Sequence, residues 1–164
     1  ISENETPDTV VKLLNKYFDV MVKEIIAQGG YIDKSVGDAI MAVFRGDYHL
    51  DRAVDASLAV RKKIAELPNE SGNIFFAPQV SIGINCGEMI TGNIGSVNLR
   101  RLDYTVIGDA VNTAQRLQSA GKEGQIVISE AAYEKIKESF NCRKVGEVSL
   151  KNKANPVMIY EVMD

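Results

Sequence analysis

Near the start of the chain apolar residues recur at helical spacing. Val10, Leu14, Tyr17, Phe18, Met21 and Ile25 follow Thr6-Pro7-Asp8, which reads as a cap, a proline suited to the first helical position and an acid in the first turn. The pattern predicts an amphipathic helix that stops at Gly29-Gly30, where glycine can take the left-handed closing conformation. The period then changes. Tyr31 to Lys34 and Asp38 to Phe44 read as two short strands of a hairpin joined through Ser35-Val36-Gly37. Leu50 to Leu67 returns to helical spacing, with Leu50, Ala53, Val54, Leu58, Ile64 and Ala65 on one side, and ends before Pro68. After a turn-rich connection at 69–73, Val80, Ile82, Ile84 and Cys86 alternate with Gln79, Ser81, Gly83 and Asn85, the signature of a half-buried strand.

Beyond that strand, Met89 to Ile94 reads as a second strand or arm punctuated by Gly87, Gly92 and Gly95, and Leu102 to Ile107 as a strand running into Gly108-Asp109. A helix opens there and ends near Gly121. Ile126 to Ser129 is a short strand, Glu130 to Ser139 a short helix, and two strands lie near Val145 to Leu150 and Val157 to Val162. With no internal repeat and no dividing linker, residues 1–164 are expected to form one domain. Helices separated by hairpins, rather than strict alternation of strand and helix, predict an α+β, ferredoxin-like sandwich with a mixed sheet.

Composition narrows the classes of function. At 45% hydrophobic and 25% charged, the chain can bury a core and is neither a disordered tail nor a fibre. Nineteen Lys and Arg against twenty-two Asp and Glu leave a net charge of -3, so no global cationic field is present to hold nucleic acid or an anionic membrane. Any anion site must be local. Cys86 and Cys142 are too few for a disulfide framework, and with His49 the only histidine there is no Cys/His zinc cluster. These three residues read as structural or surface positions. No apolar run is long enough to span a membrane and the first ten residues lack a signal-peptide pattern, so a reducing, cytoplasmic setting is expected.

Three constellations could carry chemistry. On the helix after Gly108, Asp109, Asn112, Thr113 and Arg116 fall at i, i+3, i+4 and i+7, opposite Ala110, Val111, Ala114 and Leu117. On pattern alone a solvated face is the favoured reading. The absence of Lys and Glu weighs against it, because a carboxamide beside a planar five-donor fork suits a hydroxyl and a phosphate. The second is Lys34-Ser35-Val36-Gly37-Asp38, which is ordinary turn chemistry unless its apolar flanks make the hairpin central; a carboxylate there needs a cation or metal. The third, Leu150-Lys151-Asn152-Lys153, could meet phosphates or blunt a sheet edge. Gly87, Gly92 and Gly95 do not make a phosphate loop, since no Lys-Ser/Thr follows.

Taken in order, the stretch from Gly30-Tyr31-Ile32-Asp33-Lys34 through Gly37-Asp38 to Phe44, then Val80 to Gly95, then Asp103-Tyr104-Thr105-Val106-Ile107-Gly108-Asp109 through Asn112 to Arg116-Leu117, resembles the class III nucleotidyl cyclase catalytic domain. The resemblance covers nearly the whole chain. It implies a palm-type α/β sandwich with a mixed, mainly antiparallel sheet flanked by helices. It also implies a reaction in which the ribose 3′-hydroxyl of a nucleoside triphosphate attacks its own α-phosphate, assisted by two Mg²⁺ or Mn²⁺ ions. Asp38 matches the second of the family's two metal-binding aspartates, Asn112 the asparagine that orients the ribose, and Arg116 the arginine that stabilises the pentavalent phosphorus. Lys151 matches a lysine that contacts the terminal phosphates, although the family's Lys-Gly-Lys-Gly is here Lys-Asn-Lys-Ala.

Lys34 matches the base-reading lysine of adenylate cyclases, where guanylate cyclases place glutamate, and Thr105 the second base-reading position. The substrate implied is ATP, and threonine there leaves bicarbonate sensitivity open. A chain carrying all of these residues resembles the homodimeric kind, with sites between two copies and the arm from Met89 to Arg101 as dimer contact. The family's first strand, bearing the first metal aspartate, is expected just before Ile1 and is not in the sequence, so these residues alone are expected to catalyse weakly. An upstream sensor, or a membrane-anchored parent with this domain in the cytoplasm, is compatible with the resemblance. The rival readings are a guanylate cyclase and a silent nucleotide-binding or dimerisation module. A diguanylate cyclase is disfavoured, because Gly29-Gly30-Tyr31-Ile32-Asp33 does not match its signature.

Overall fold

The computed structural model describes residues 7–36, 39–67, 79–88, 90–96, 101–150 and 154–164; for 7, 9, 10, 36, 90–96 and 101–107 it describes backbone alone. Among these residues the order is α1 (Pro7–Ala27), β1 (Tyr31–Val36), β2 (Ala39–Val43), α2 (His49–Ala65), β3 (Ile82–Ile84), β4 (Ile90–Ser96), β5 (Arg101–Ile107), α3 (Asp109–Ala120), β6 (Ile126–Ser129), α4 (Glu130–Ile136), β7 (Cys142–Val148) and β8 (Val157–Val162). The architecture is the α+β arrangement with a mixed sheet that the sequence predicts.

The central sheet runs β3-β6-β8-β7, with β3 and β6 parallel and the other pairs antiparallel. Two antiparallel pairs, β1 with β2 and β4 with β5, complete the strands. Strand β6 explains the layering. Ile126, Val127 and Ile128 are all fully buried. Ile126 and Ile128 face a core shared with Leu50 and Val54 of α2, Ile84, Ala132 and Ile136 of α4, and Val162. Val127 faces the other way, onto Leu117 of α3, Leu150 and Ile159. The two-residue period of a strand thus places helices on both faces, and each buried side chain of this size contributes about 2 kcal/mol. Ser129 ends β6 and starts α4 at once, its hydroxyl accepting from the Ala132 amide.

Several boundaries differ from the sequence reading. β1 runs to Val36, two residues past the expected Lys34, and β2 begins at Ala39 rather than Asp38. β3 is only Ile82–Ile84, because its ladder with β6 covers three residues while the alternation runs from Val80 to Cys86. β7 begins at Cys142, three residues before the expected Val145, and stops at Val148: pairing with β8 sets its length, and its exposed residues Arg143 and Lys144 carry no apolar signal. α4 ends at Ile136 rather than Ser139. On α3, Thr113 is buried at 8% exposure, so the face read as wholly polar is narrower than expected.

Candidate active site

Helix α3 starts directly from a strand. β5 ends at Ile107, and Gly108 at φ 147 makes the turn into Asp109, a backbone geometry that L side chains rarely adopt. The Gly108 carbonyl accepts from the amides of Val111 and Asn112, closing the first turn. The other end of that turn is held by a residue whose role the sequence does not advertise. Asn85, just past β3, donates from Nδ2 to the Ala110 carbonyl at 3.1 Å. Only a polar side chain in an apolar alternation hints at it.

One turn along, Asn112 is exposed and Arg116 is half-buried. Arg116 lines an open cavity of about 410 Å³ with Gln115, Ser119, Ala120, Ser149 and Leu150. Among the described residues no carboxylate or carbonyl engages its guanidinium. Leu150 matters by position, because the next residue is Lys151. Lys151 itself lies outside the described residues, as does Asp38.

The β1–β2 hairpin carries Lys34. Its register pairs Tyr31 with Val43, Ile32 with Ala42, Lys34 with Met41 and Val36 with Ala39, so residues 37 and 38 connect the strands and Asp33 is an extra residue. The Asp33 side chain is fully buried, Lys34 is 48% exposed, and Asp33 Oδ2 lies 3.7 Å from Lys34 Nζ. β1 packs against β5, the strand that holds Thr105 opposite Gly92; the Thr105 side chain is outside the description. The structure therefore brings Asn112 and Arg116 together and sets the Lys34 strand beside the Thr105 strand.

Other candidates fall away. Cys86 and Cys142 are free thiols packed against the α2–α4 side of the core, and burial pushes the Cys142 thiol up, away from the reactive thiolate. His49 contacts the Gly46 carbonyl through Nδ1 at 3.0 Å. Among the described residues no cluster of three or more His, Cys, Asp or Glu could hold a metal ion by itself. No helix among them is long and apolar enough to cross a membrane.

Comparison with known proteins bears on the family and the fold. Residues 1–163 match the family model of the adenylate and guanylate cyclase catalytic domain. The terminal-differentiation-specific adenylate cyclase of Dictyostelium discoideum is 37% identical over 170 residues, covering 99% of this chain, which spans 8% of that relative's length. Among solved structures, the adenylyl cyclase CyaB from P. aeruginosa superposes with a TM-score of 0.90 at 37% identity, over 99% of this chain and 86% of that one. The guanylate cyclase domain of RhGC from Catenaria anguillulae, in complex with GTP, gives a TM-score of 0.86 at 26% identity, over 99% and 87%. The chain belongs to the adenylate and guanylate cyclase catalytic domain family.

Proposed function

We propose, on the basis of that membership, that residues 1–164 form the catalytic domain of an adenylate cyclase, converting ATP to 3′,5′-cyclic AMP and pyrophosphate at sites between two copies of the chain. The observation that carries this reading is the position of Arg116. One helical turn after Asn112, its guanidinium lines a cavity shared with Ser149 and Leu150, beside the chain that runs into Lys151. A planar cation with no partner among the described residues, next to an expected phosphate-binding lysine, suits a triphosphate.

In the reaction the ribose 3′-hydroxyl gives up its proton to solvent, its oxygen forms a bond to the α-phosphorus, the bond from that phosphorus to the β-phosphate bridging oxygen breaks, and pyrophosphate leaves with the electron pair. Asn112 orients the ribose. Arg116 stabilises the charge that grows on the five-coordinate phosphorus, an interaction stronger in the transition state than in bound ATP. Lys151 holds the terminal phosphates. Lys34 donates to adenine N1, an acceptor, whereas guanine carries a proton there; this favours ATP over GTP. Thr105, on the neighbouring strand, completes the base pocket.

Asp38 would be one of the carboxylates that hold the two divalent cations. Its carboxylate is a hard oxygen donor on the two-residue connection between Val36 and Ala39, and Mg²⁺ sites characteristically combine one or two carboxylates with substrate phosphates. When bound, Mg²⁺ or Mn²⁺ lowers the pKa of the 3′-hydroxyl and neutralises charge on the triphosphate. ATP as substrate places the domain in the cytoplasm.

The test is cyclic-nucleotide formation from ATP and from GTP, with Mn²⁺ and with Mg²⁺, by this chain and by a form extended upstream of Ile1. Preferential cyclic AMP supports the reading. Preferential cyclic GMP replaces it with the guanylate cyclase, and dimers that make neither product replace it with a silent nucleotide-binding module.

A further inference from the structure

We propose that Asp33 is a positioning residue for purine selection: a β-bulge brings its buried carboxylate to the side of Lys34, where it fixes the ammonium group that meets the base. The proposal rests on the reading of Lys34 as the base-contacting lysine.

The register supplies the first argument. Ile32 stands opposite Ala42 and Lys34 opposite Met41, so Asp33 is inserted between two paired positions. In an uninterrupted strand, successive side chains project to opposite faces, and the charged ends of neighbours stay apart. An extra residue breaks that alternation and re-aims a side chain, which is how bulges are used beside active sites. Here the outcome is a 3.7 Å approach between Asp33 Oδ2 and Lys34 Nζ.

Burial supplies the second. The Asp33 side chain is fully withdrawn from solvent while that of Lys34 is 48% exposed. A carboxylate in that position requires compensating charge or hydrogen bonds. A lysine has a long, flexible stem that loses much rotamer freedom when fixed. Anchoring its ammonium group on a buried carboxylate removes part of that cost before the nucleotide arrives, and turns the exposed side of the group toward an acceptor. Adenine N1 can occupy that position. With the anchor lost, the Lys34 ammonium is held less firmly at the base and discriminates less against a purine that carries a proton at N1.

The experiment is competition of ATP and GTP against a fluorescent ATP analogue in the presence of Mn²⁺, with cyclase turnover of both nucleotides measured in parallel. The full chain is compared with Asp33→Asn, Lys34→Met and the double variant. Asp33→Asn is expected to lower the ATP-over-GTP preference about tenfold, the scale of one charge-assisted contact, and to add nothing once Lys34 is already Met. An unchanged preference in Asp33→Asn, or an equal loss in both backgrounds, overturns the proposal. If Lys34→Met alone leaves the preference intact, the base-reading assignment itself fails. Should Asp33→Asn not fold, as judged by circular dichroism, ¹⁵N relaxation of the Lys34 ammonium in the unaltered protein decides: restricted motion supports the anchor, and the free rotation of surface lysines removes it.

Discussion

A Cβ on Gly83 would stand 2.5 Å from the carbonyl oxygen of Ala114, so β3 and α3 meet backbone to backbone with no room for a side chain. Asn112 and Arg116 are carried by that helix. Gly83→Ala must therefore push α3 away from the sheet, against the core formed by Leu117, Val127 and Ile159. The expected cost is about 1–3 kcal/mol, the range for overpacking a filled interior. Thermal unfolding should show a midpoint lowered by at least about 2 °C, and turnover should fall in the same variant. An unchanged midpoint would show that the helix is not seated on Gly83.

Arg116 is expected to act on the transition state rather than on bound substrate. Arg116→Ala should lower kcat about 100-fold or more, the loss typical of removing one donor aimed at developing charge, with KM for ATP nearly unchanged. Arg116→Lys should recover only part, since a point charge does not reproduce the planar fork. Steady-state kinetics with ATP, on the form extended upstream of Ile1, checks both. A matching rise in KM with kcat preserved would reassign Arg116 to ground-state binding.

The legible parts of this site are those governed by a single period. Asn112 and Arg116 can be placed on one helical face from their spacing, and Gly108 marks the start of that helix because the turn needs its positive φ. What sequence could not show depends on partners distant in the chain. Asp33 and Lys34 read only as successive residues of one strand, because nothing local marks the bulge; it exists only in the register with Ala42 and Met41. Thr113 reads as polar and is buried, since its side of the helix is decided by packing against the sheet. Asn85 joins β3 to α3 across twenty-five residues, a pairing no spacing rule anticipates.

Arg52 ties together segments that flank the hairpin. Its guanidinium donates to the carbonyls of Gln28 at 2.9 Å and Gly29 at 3.3 Å, where α1 ends, and to those of Asp47 at 3.1 Å and Arg45 at 2.5 Å after β2. A cation at a helix C-terminus is favourable, and the fork serves several acceptors at once. Arg52→Ala should cost about 1–2 kcal/mol, since the exposed carbonyls can turn to water. Arg52→Lys should restore less than half of it. Urea unfolding curves of the three proteins measure this, and an Arg52→Ala midpoint equal to that of the unaltered protein would show that the carbonyls lose nothing.

Alkaline pH should weaken the fold through groups whose protons the folded state holds more tightly. Burial pushes the Cys142 thiol above its ordinary 9.0 and the Tyr17 phenol above 10.0, while the hydrogen bond and charge of Glu24 hold Lys63 above 10.5. In each case the folded state binds its proton more tightly than the unfolded chain does. The stability from these groups is therefore complete below the unfolded value and is lost as pH rises through the folded one. Cys142 acts first. It packs against the same core as Ile136 and Val162, where a thiolate would be poorly solvated. The midpoint of thermal unfolding should thus hold steady with respect to these groups below pH 9.0 and decline above it. Cys142→Ser should remove the earliest part of the decline and leave the part that begins near 10. Alkylation of Cys142 by iodoacetamide should likewise be slow in the folded protein at neutral pH and accelerate on unfolding. A midpoint that declines identically with serine in place would assign the alkaline loss to groups other than Cys142, among them the Tyr17 phenol and the Glu24–Lys63 pair, which joins α1 to α2 at 2.8 Å.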